Sequence, residues 1–214
     1  MKRLTRLADK YETDKGTIES AHLYTEFYEP FFEKYENPKI LEIGTWKGGS
    51  AHMFNDFYDG YCEIYTCDIL ERCEECVKDM PNVHFYNVDA GSKESLYKLK
   101  EELGDIKFDI IIDDASHIWQ HQMNLLSGLH NLLAKDGIYI IEDIHYSRLF
   151  TDPQNSPLFF ITFLTSPNVM LSEEENMELL SKIKDVQIMS RKNNSELMTE
   201  KFGGRSMTAI LTFE

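Results

Sequence analysis

Lys39-Ile-Leu-Glu-Ile-Gly-Thr-Trp-Lys-Gly-Gly-Ser50 opens as a short apolar run, stops at a glycine and turns through further glycines into a helical stretch. An apolar run of that length bounded by glycine reads as a buried strand. A glycine-rich turn between strand and helix is where open α/β sheets bind their ligands. The alternation continues toward the C-terminus. Strands are predicted at Glu63–Ile69, Val83–Asp89, Phe108–Asp113 and Gly137–Glu142, and helices at Gly49–Phe57, Cys73–Met80, Ser92–Glu102 and Gln120–Leu133. The last helix carries Leu125, Leu126, Leu129, Leu132 and Leu133 on one face. Strands separated by helices require right-handed crossovers and hence a parallel sheet. Their near-continuous apolar character places helices on both faces.

The C-terminal part follows another rule. A helix is expected at Glu173–Ile183, then strands at Val186–Ser190 and Met207–Phe213. Only a polar segment, 191–205, joins these strands, and it contains Gly203-Gly204 but no crossover helix. They are therefore expected to pair antiparallel. The predicted fold class is α/β, a doubly wound, mostly parallel seven-stranded sheet with an antiparallel C-terminal pair, the Rossmann-like sheet of class I methyltransferases. Before the first strand, Leu23, Phe27 and Phe31 recur at four-residue spacing and mark a helix that Asn37-Pro38 ends. Residues 1–38 are read as a helical cap within a single domain spanning 1–214. Residues 150–172 mix prolines with the apolar run Leu158–Leu164, which suits a core helix, an acceptor lid or a contact in a homo-oligomer.

Lys and Arg number 22 against 37 Asp and Glu, for a net charge of −15. Nucleic acid and anionic membrane surfaces repel such a chain. No apolar run approaches the roughly 18 residues of a membrane span, and Met1–Thr5 leads into no stretch of signal-peptide length. A cytoplasmic protein acting on a small molecule is expected. Cys62, Cys67, Cys73 and Cys76 crowd together, and Cys73-Glu-Glu-Cys76 has zinc-ligand spacing. Cys67 lies inside a strand, however, so free and mostly buried thiols are the expected state.

The turn after the first strand distinguishes between cofactors. Glu42, two residues before Gly44, would repel a pyrophosphate but suits the ammonium and sulfonium of S-adenosylmethionine. Gly44-x-x-x-Gly48 also departs from the dinucleotide pattern G-x-G-x-x-G. Asp68 ends the second strand 24 residues beyond Gly44, about where an acid takes ribose hydroxyls, and Asp89 ends the third, near the adenine position. An NAD-dependent oxidoreductase is disfavoured on the same grounds.

The fourth strand runs into Asp113-Asp-Ala-Ser-His117 and the fifth into Glu142-Asp143. As sheet neighbours they would bring Asp114, Glu142 and Asp143 together, and three carboxylates in one cleft repel one another. A hard cation removes that cost, and oxygen ligands favour Mg²⁺ or Mn²⁺. The alternative is carboxylates placed at helix N-termini by the dipole. His117 can act as general base toward a hydroxyl, with His145 a weaker candidate. A non-catalytic module would have no need for this cluster.

These motifs together resemble the metal-dependent sugar O-methyltransferases of macrolide tailoring, the mycinamicin and macrocin type. Thr13-Asp-Lys-Gly16 and His22-Leu-Tyr-Thr25 resemble the segment ahead of that family's core, and the resemblance covers roughly residues 11–146. It implies Asp114, Glu142 and Asp143 as metal ligands, His117 as base, and Tyr24, Glu42, Gly44, Ser50, Asp68, Asp89 and Asp113 around S-adenosylmethionine. The acceptor it implies is a hydroxylated small molecule, a sugar or glycoside. A catechol-type acceptor would use the same fold and cofactor, and a branch related to cephalosporin hydroxylases shares similar motifs. The mycinamicin type carries an extra N-terminal domain for which this chain leaves no room, and the stretch after Tyr146 matches nothing assignable.

Overall fold

The run Lys39–Ile43 forms β1, buried from Ile40 onward. The structure is a computed structural model that describes residues 1–18, 22–144, 179, 181–192 and 205–214. Around β1 lie β2 (Glu63–Asp68), β3 (Val83–Asn87), β4 (Phe108–Asp113), β5 (Leu133–Ile141), β6 (Ile183–Lys192) and β7 (Arg205–Phe213). The sheet order is β3-β2-β1-β4-β5-β7-β6. The first five strands run parallel. β7 inserts antiparallel between β5 and β6, as the short polar connection requires.

Alternate side chains of each strand enter two separate cores. Leu41, Ile43, Cys67 and Ile111 face α4 (Lys93–Leu103) and α5 (Trp119–Leu129), packing on Leu99, Leu125, Leu126 and Leu129. Ile40, Ile64, Ile110 and Ile112 face α1 (Arg3–Lys10), α2 (Thr25–Phe32) and α3 (Gly49–Phe57), packing on Leu4, Tyr28, Phe32 and Phe54. Each such apolar side chain contributes about 1.5–3 kcal/mol on burial. Pro30 lies inside α2 and has no N–H for the carbonyl of Glu26, which instead accepts a 2.9 Å hydrogen bond from Lys2 Nζ.

Three expectations are corrected. The helix expected at Cys73–Met80 is a 3₁₀ turn, Glu71–Cys76. Its clustered glutamates repel along a helix, and Pro81 pushes the preceding residue out of the α region. The buried face of α2 is Tyr24, Tyr28 and Phe32, whereas Phe27 and Phe31 are only partly buried. Leu23 has φ +56° and precedes the helix, so the four-residue stripe was counted from a residue outside it. The helix expected to end at Leu133 stops at Leu129, and β5 begins at Leu133. α1 lies within the expected helical cap, where the four-residue spacing marks only the later helix. Of the helix expected at 173–183, residues 179, 181 and 182 are helical and Ile183 opens β6. Residues 150–172, 193–204 and His145 lie outside the described residues. The four cysteines are free, with Cys76 alone exposed. No described helix is long and apolar enough to cross a membrane.

Candidate functional site

A cavity of about 720 Å³ opens at the carboxyl ends of β1, β2, β3 and β4, within the size range of small-molecule sites. Gly44, Ser50, Asp68, Asp89, Asp114 and His117 line it. Gly44 makes the turn possible. Its φ is +119°, and a Cβ there would lie 2.1 Å from the carbonyl oxygen of Asp114. The freed chain then donates from Gly44 N and Thr45 N to the carbonyl of Cys67, at 2.7 and 3.1 Å. Asp68 holds the next stretch, accepting from the backbone of Trp46 and Leu70, both at 2.9 Å. Asp89 accepts from Gly91 N at 2.8 Å.

Three of the residues expected around the cofactor lie behind the cavity wall. Glu42 is fully buried and accepts from Ser50 Oγ at 2.5 Å. Burial pushes its carboxyl up to about 7, against the pull of Lys15 and Ser50. Asp113 is likewise buried and raised to about 7 by burial, opposed by the backbone N–H of Ala115 and by His117. Tyr24 donates to Asp143 Oδ1 at 2.6 Å and to the carbonyl of Met207 at 3.1 Å.

β4 and β5 end side by side, with Glu142 N donating to the carbonyl of Asp113 at 2.9 Å. Ligand atoms of Asp114, His117 and Asp143 lie within 4.8 Å of one another. His117 Nδ1 is 3.0 Å from Asp143 Oδ2. Burial works against the imidazolium, but the hydrogen bond and charge of Asp143, with Asp114 and Asp113, raise the His117 pKa to about 9. Glu142 points elsewhere, toward an ammonium. Lys15 Nζ contacts Asp114 Oδ2, lies 2.8 Å from Glu142 Oε2 and 3.9 Å from Glu42 Oε1. Burial opposes the charge on Lys15, yet the three acids together hold it protonated. Burial raises Asp114 and Glu142, and Lys15 only partly offsets it.

Sequence reasoning missed Lys15 as a member of the site. It lies in Thr13-Asp-Lys-Gly16, a polar stretch whose lysine is fully buried. Gly16 fixes the local path, because a Cβ there would sit 2.2 Å from Asp9 Oδ1. His22 was also passed over. Its Nδ1 is 2.8 Å from Ser206 Oγ and 3.8 Å from Asp143.

This sheet order, with ligand-binding turns at the carboxyl ends, has many solved counterparts. MycE methyltransferase from the mycinamycin biosynthetic pathway, solved with Mg, SAH and mycinamycin VI, matches 99% of this chain and 54% of its own, with TM-score 0.74 and 23% identity. The O-methyltransferase of Bacillus cereus, solved with SAH, matches 99% and 90% with TM-score 0.59 and 14% identity. The fold is that of a class I methyltransferase. In sequence, this methyltransferase fold is 31% identical over 152 residues to 8-demethyl-8-alpha-L-rhamnosyl tetracenomycin-C 2'-O-methyltransferase of Streptomyces olivaceus. It is 31% identical over 150 residues to mycinamicin VI 2''-O-methyltransferase of Micromonospora griseorubida. The matches take in 67% and 66% of this chain but only 38% and 36% of those relatives' length. The chain thus resembles sugar O-methyltransferases of macrolide and tetracenomycin tailoring. No protein-family profile matches it.

Proposed function

We propose that this chain transfers a methyl group from S-adenosylmethionine to a hydroxyl of a sugar or glycoside, with a divalent cation, Mg²⁺ or Mn²⁺, at the acid cluster. The observation that carries this reading is the meeting of Asp114, His117 and Asp143 beside the strand-end cavity. The relatives' named activities give the acceptor class.

The residues fit a cation. Lys15 supplies one positive charge among Asp114, Glu142 and Glu42, and Glu142 Oε1 is buried without a hydrogen-bond partner. Asp114 and Asp143 would hold the ion, and Glu142 would join them on release from Lys15. When bound it would lower the pKa of an acceptor hydroxyl and orient it.

The chain's own groups do the rest. Gly44 and Ser50 bring backbone and a small side chain to the methionine end of the cavity, and Glu42 anchors Ser50 from behind. Asp68 and Asp89 place carboxylates for the ribose and adenine ends. His117 lies at the cavity wall, positioned to receive the hydroxyl proton. Its raised pKa means that it serves as base only when the charges of Asp143 and Asp114 are countered. Tyr24, bonded to Asp143, fixes the carboxylate that orients His117. Much of the remaining acceleration comes from holding the two reactants in contact.

Calorimetric titration with S-adenosylmethionine, with and without Mg²⁺ and with NAD as control, tests the reading. Binding of S-adenosylmethionine and not NAD, with a separate Mg²⁺ signal lost in Asp114→Ala, is the expected result. NAD binding instead would overturn it. Given binding, turnover of a catechol but of no glycoside would correct the acceptor class.

A further inference from the structure

Lys15 stands on ground that a metal ion would claim. Its ammonium touches Asp114 and Glu142, two of the three expected cation ligands, and lies 2.8 Å from Glu142 Oε2. Its side chain is only 2% exposed. The backbone that carries it is pinned. The Lys15 carbonyl accepts from Thr25 N at 3.2 Å and Thr25 Oγ1 at 3.0 Å, and Gly16 has no room for a side chain. The flexible four-carbon stem is therefore the part that can change place. Two cations sharing one carboxylate oxygen repel strongly where water is excluded. Without any cation, the same acids would repel one another.

We propose that Lys15 is a built-in competitor for the divalent cation, its ammonium occupying Asp114 and Glu142 until the ion displaces it. This rests on the metal-dependent reading above. Lys15 keeps the acid cluster assembled in metal-free protein, and the same contact makes metal loading weak and reversible. Because Lys15 also lines the cofactor cavity and lies 3.9 Å from Glu42, its departure reaches the cofactor side as well. Metal loading and cofactor binding are then coupled through one side chain.

The test is Mn²⁺ binding to the full chain, followed by the paramagnetic resonance of free Mn²⁺, for wild type, Lys15→Gln and Asp114→Asn. Glutamine keeps hydrogen bonds to the acids without the charge. Lys15→Gln is expected to bind Mn²⁺ about tenfold tighter, the scale of one relieved charge contact in a partly screened site. Its metal-free melting temperature should fall and recover with Mn²⁺. Affinity equal to or below that of wild type overturns the proposal. Should the variant not fold, reductive methylation of wild type answers the same question. Lys15 should be protected without Mn²⁺ and labelled when Mn²⁺ is saturating, and labelling that ignores Mn²⁺ overturns the proposal. The two readings fail differently. Mn²⁺ binding by neither wild type nor Lys15→Gln removes the metal reading and this inference with it. Wild-type binding that is lost in Asp114→Asn and unchanged in Lys15→Gln removes the inference alone.

Discussion

Around Gly44 the cavity is built mostly from backbone. Glycine turns, main-chain N–H groups and the carbonyl of Cys67 set its shape, and carboxylates such as Asp68 accept from main-chain donors. Around Asp114 the acid side is built from side chains drawn from distant parts of the chain, with Lys15, Tyr24, His117, Glu142 and Asp143 packed against one another. The first is an open cavity, the second a buried charge network with a cation of its own. A backbone-built site is complete as soon as the sheet is. A network of opposed charges has more than one way to be satisfied, which is why a guest ion can rearrange it.

The substitution expected to act most strongly joins the two halves. Gly44→Val needs a Cβ where the Asp114 carbonyl lies and a backbone conformation that valine avoids. It should destabilise the fold by about 3 kcal/mol or more in urea denaturation. A stable variant would mean that the halves are not locked together there. Next, Asp114→Ala or Glu142→Ala should cut turnover about a thousandfold, the several kcal/mol a bound cation contributes. S-adenosylmethionine affinity by calorimetry should stay largely intact. Normal turnover in the presence of a chelator would remove the metal assignment, and an equal loss of cofactor affinity would merge the two halves into one.

His117→Ala should lower turnover about a hundredfold, as for removal of a general base, with less effect on cofactor affinity. Unchanged turnover would move the base elsewhere, to His145 first. The smallest effect should come from Ser50→Ala, which removes the hydrogen bond to Glu42. About 1 kcal/mol, or roughly fivefold in cofactor affinity and little in turnover at saturation, is expected. If turnover moved and affinity did not, Glu42 would belong functionally to the acid side.

The sequence made the sheet legible because each parallel strand announces itself locally, by an apolar run and a terminal glycine or acid. Hence Gly44, Asp68, Asp89 and Asp114 were found at the strand ends they occupy. Convergence of Asp114 with Asp143 followed from β4 and β5 being neighbours. Lys15 was not legible as a site residue. Its partners lie 99 and 127 positions away, and nothing local distinguishes a buried lysine from a solvated one. The α2 face was misread for a similar reason. Tyr24 and Tyr28 are buried because they reach Asp143 and Thr208, and periodicity counts only neighbours along the chain.

The stitching of α2 to β7 bears on how the molecule is made. Tyr24 bonds the carbonyl of Met207, Tyr28 the hydroxyl of Thr208, and His22 that of Ser206. Thr208 in turn donates to the carbonyl of Ile141. Segments near opposite ends of the sequence thus clamp the same strand ends. During synthesis, α2 leaves the ribosome well before its partners in β7. Contacts between residues so far apart in sequence close late and slowly. A nascent chain extending only to Asp143 carries every acid of the cluster but not the strand against which Tyr24 and His22 are held. The bracing of the acid cluster from the α2 side therefore waits for β7.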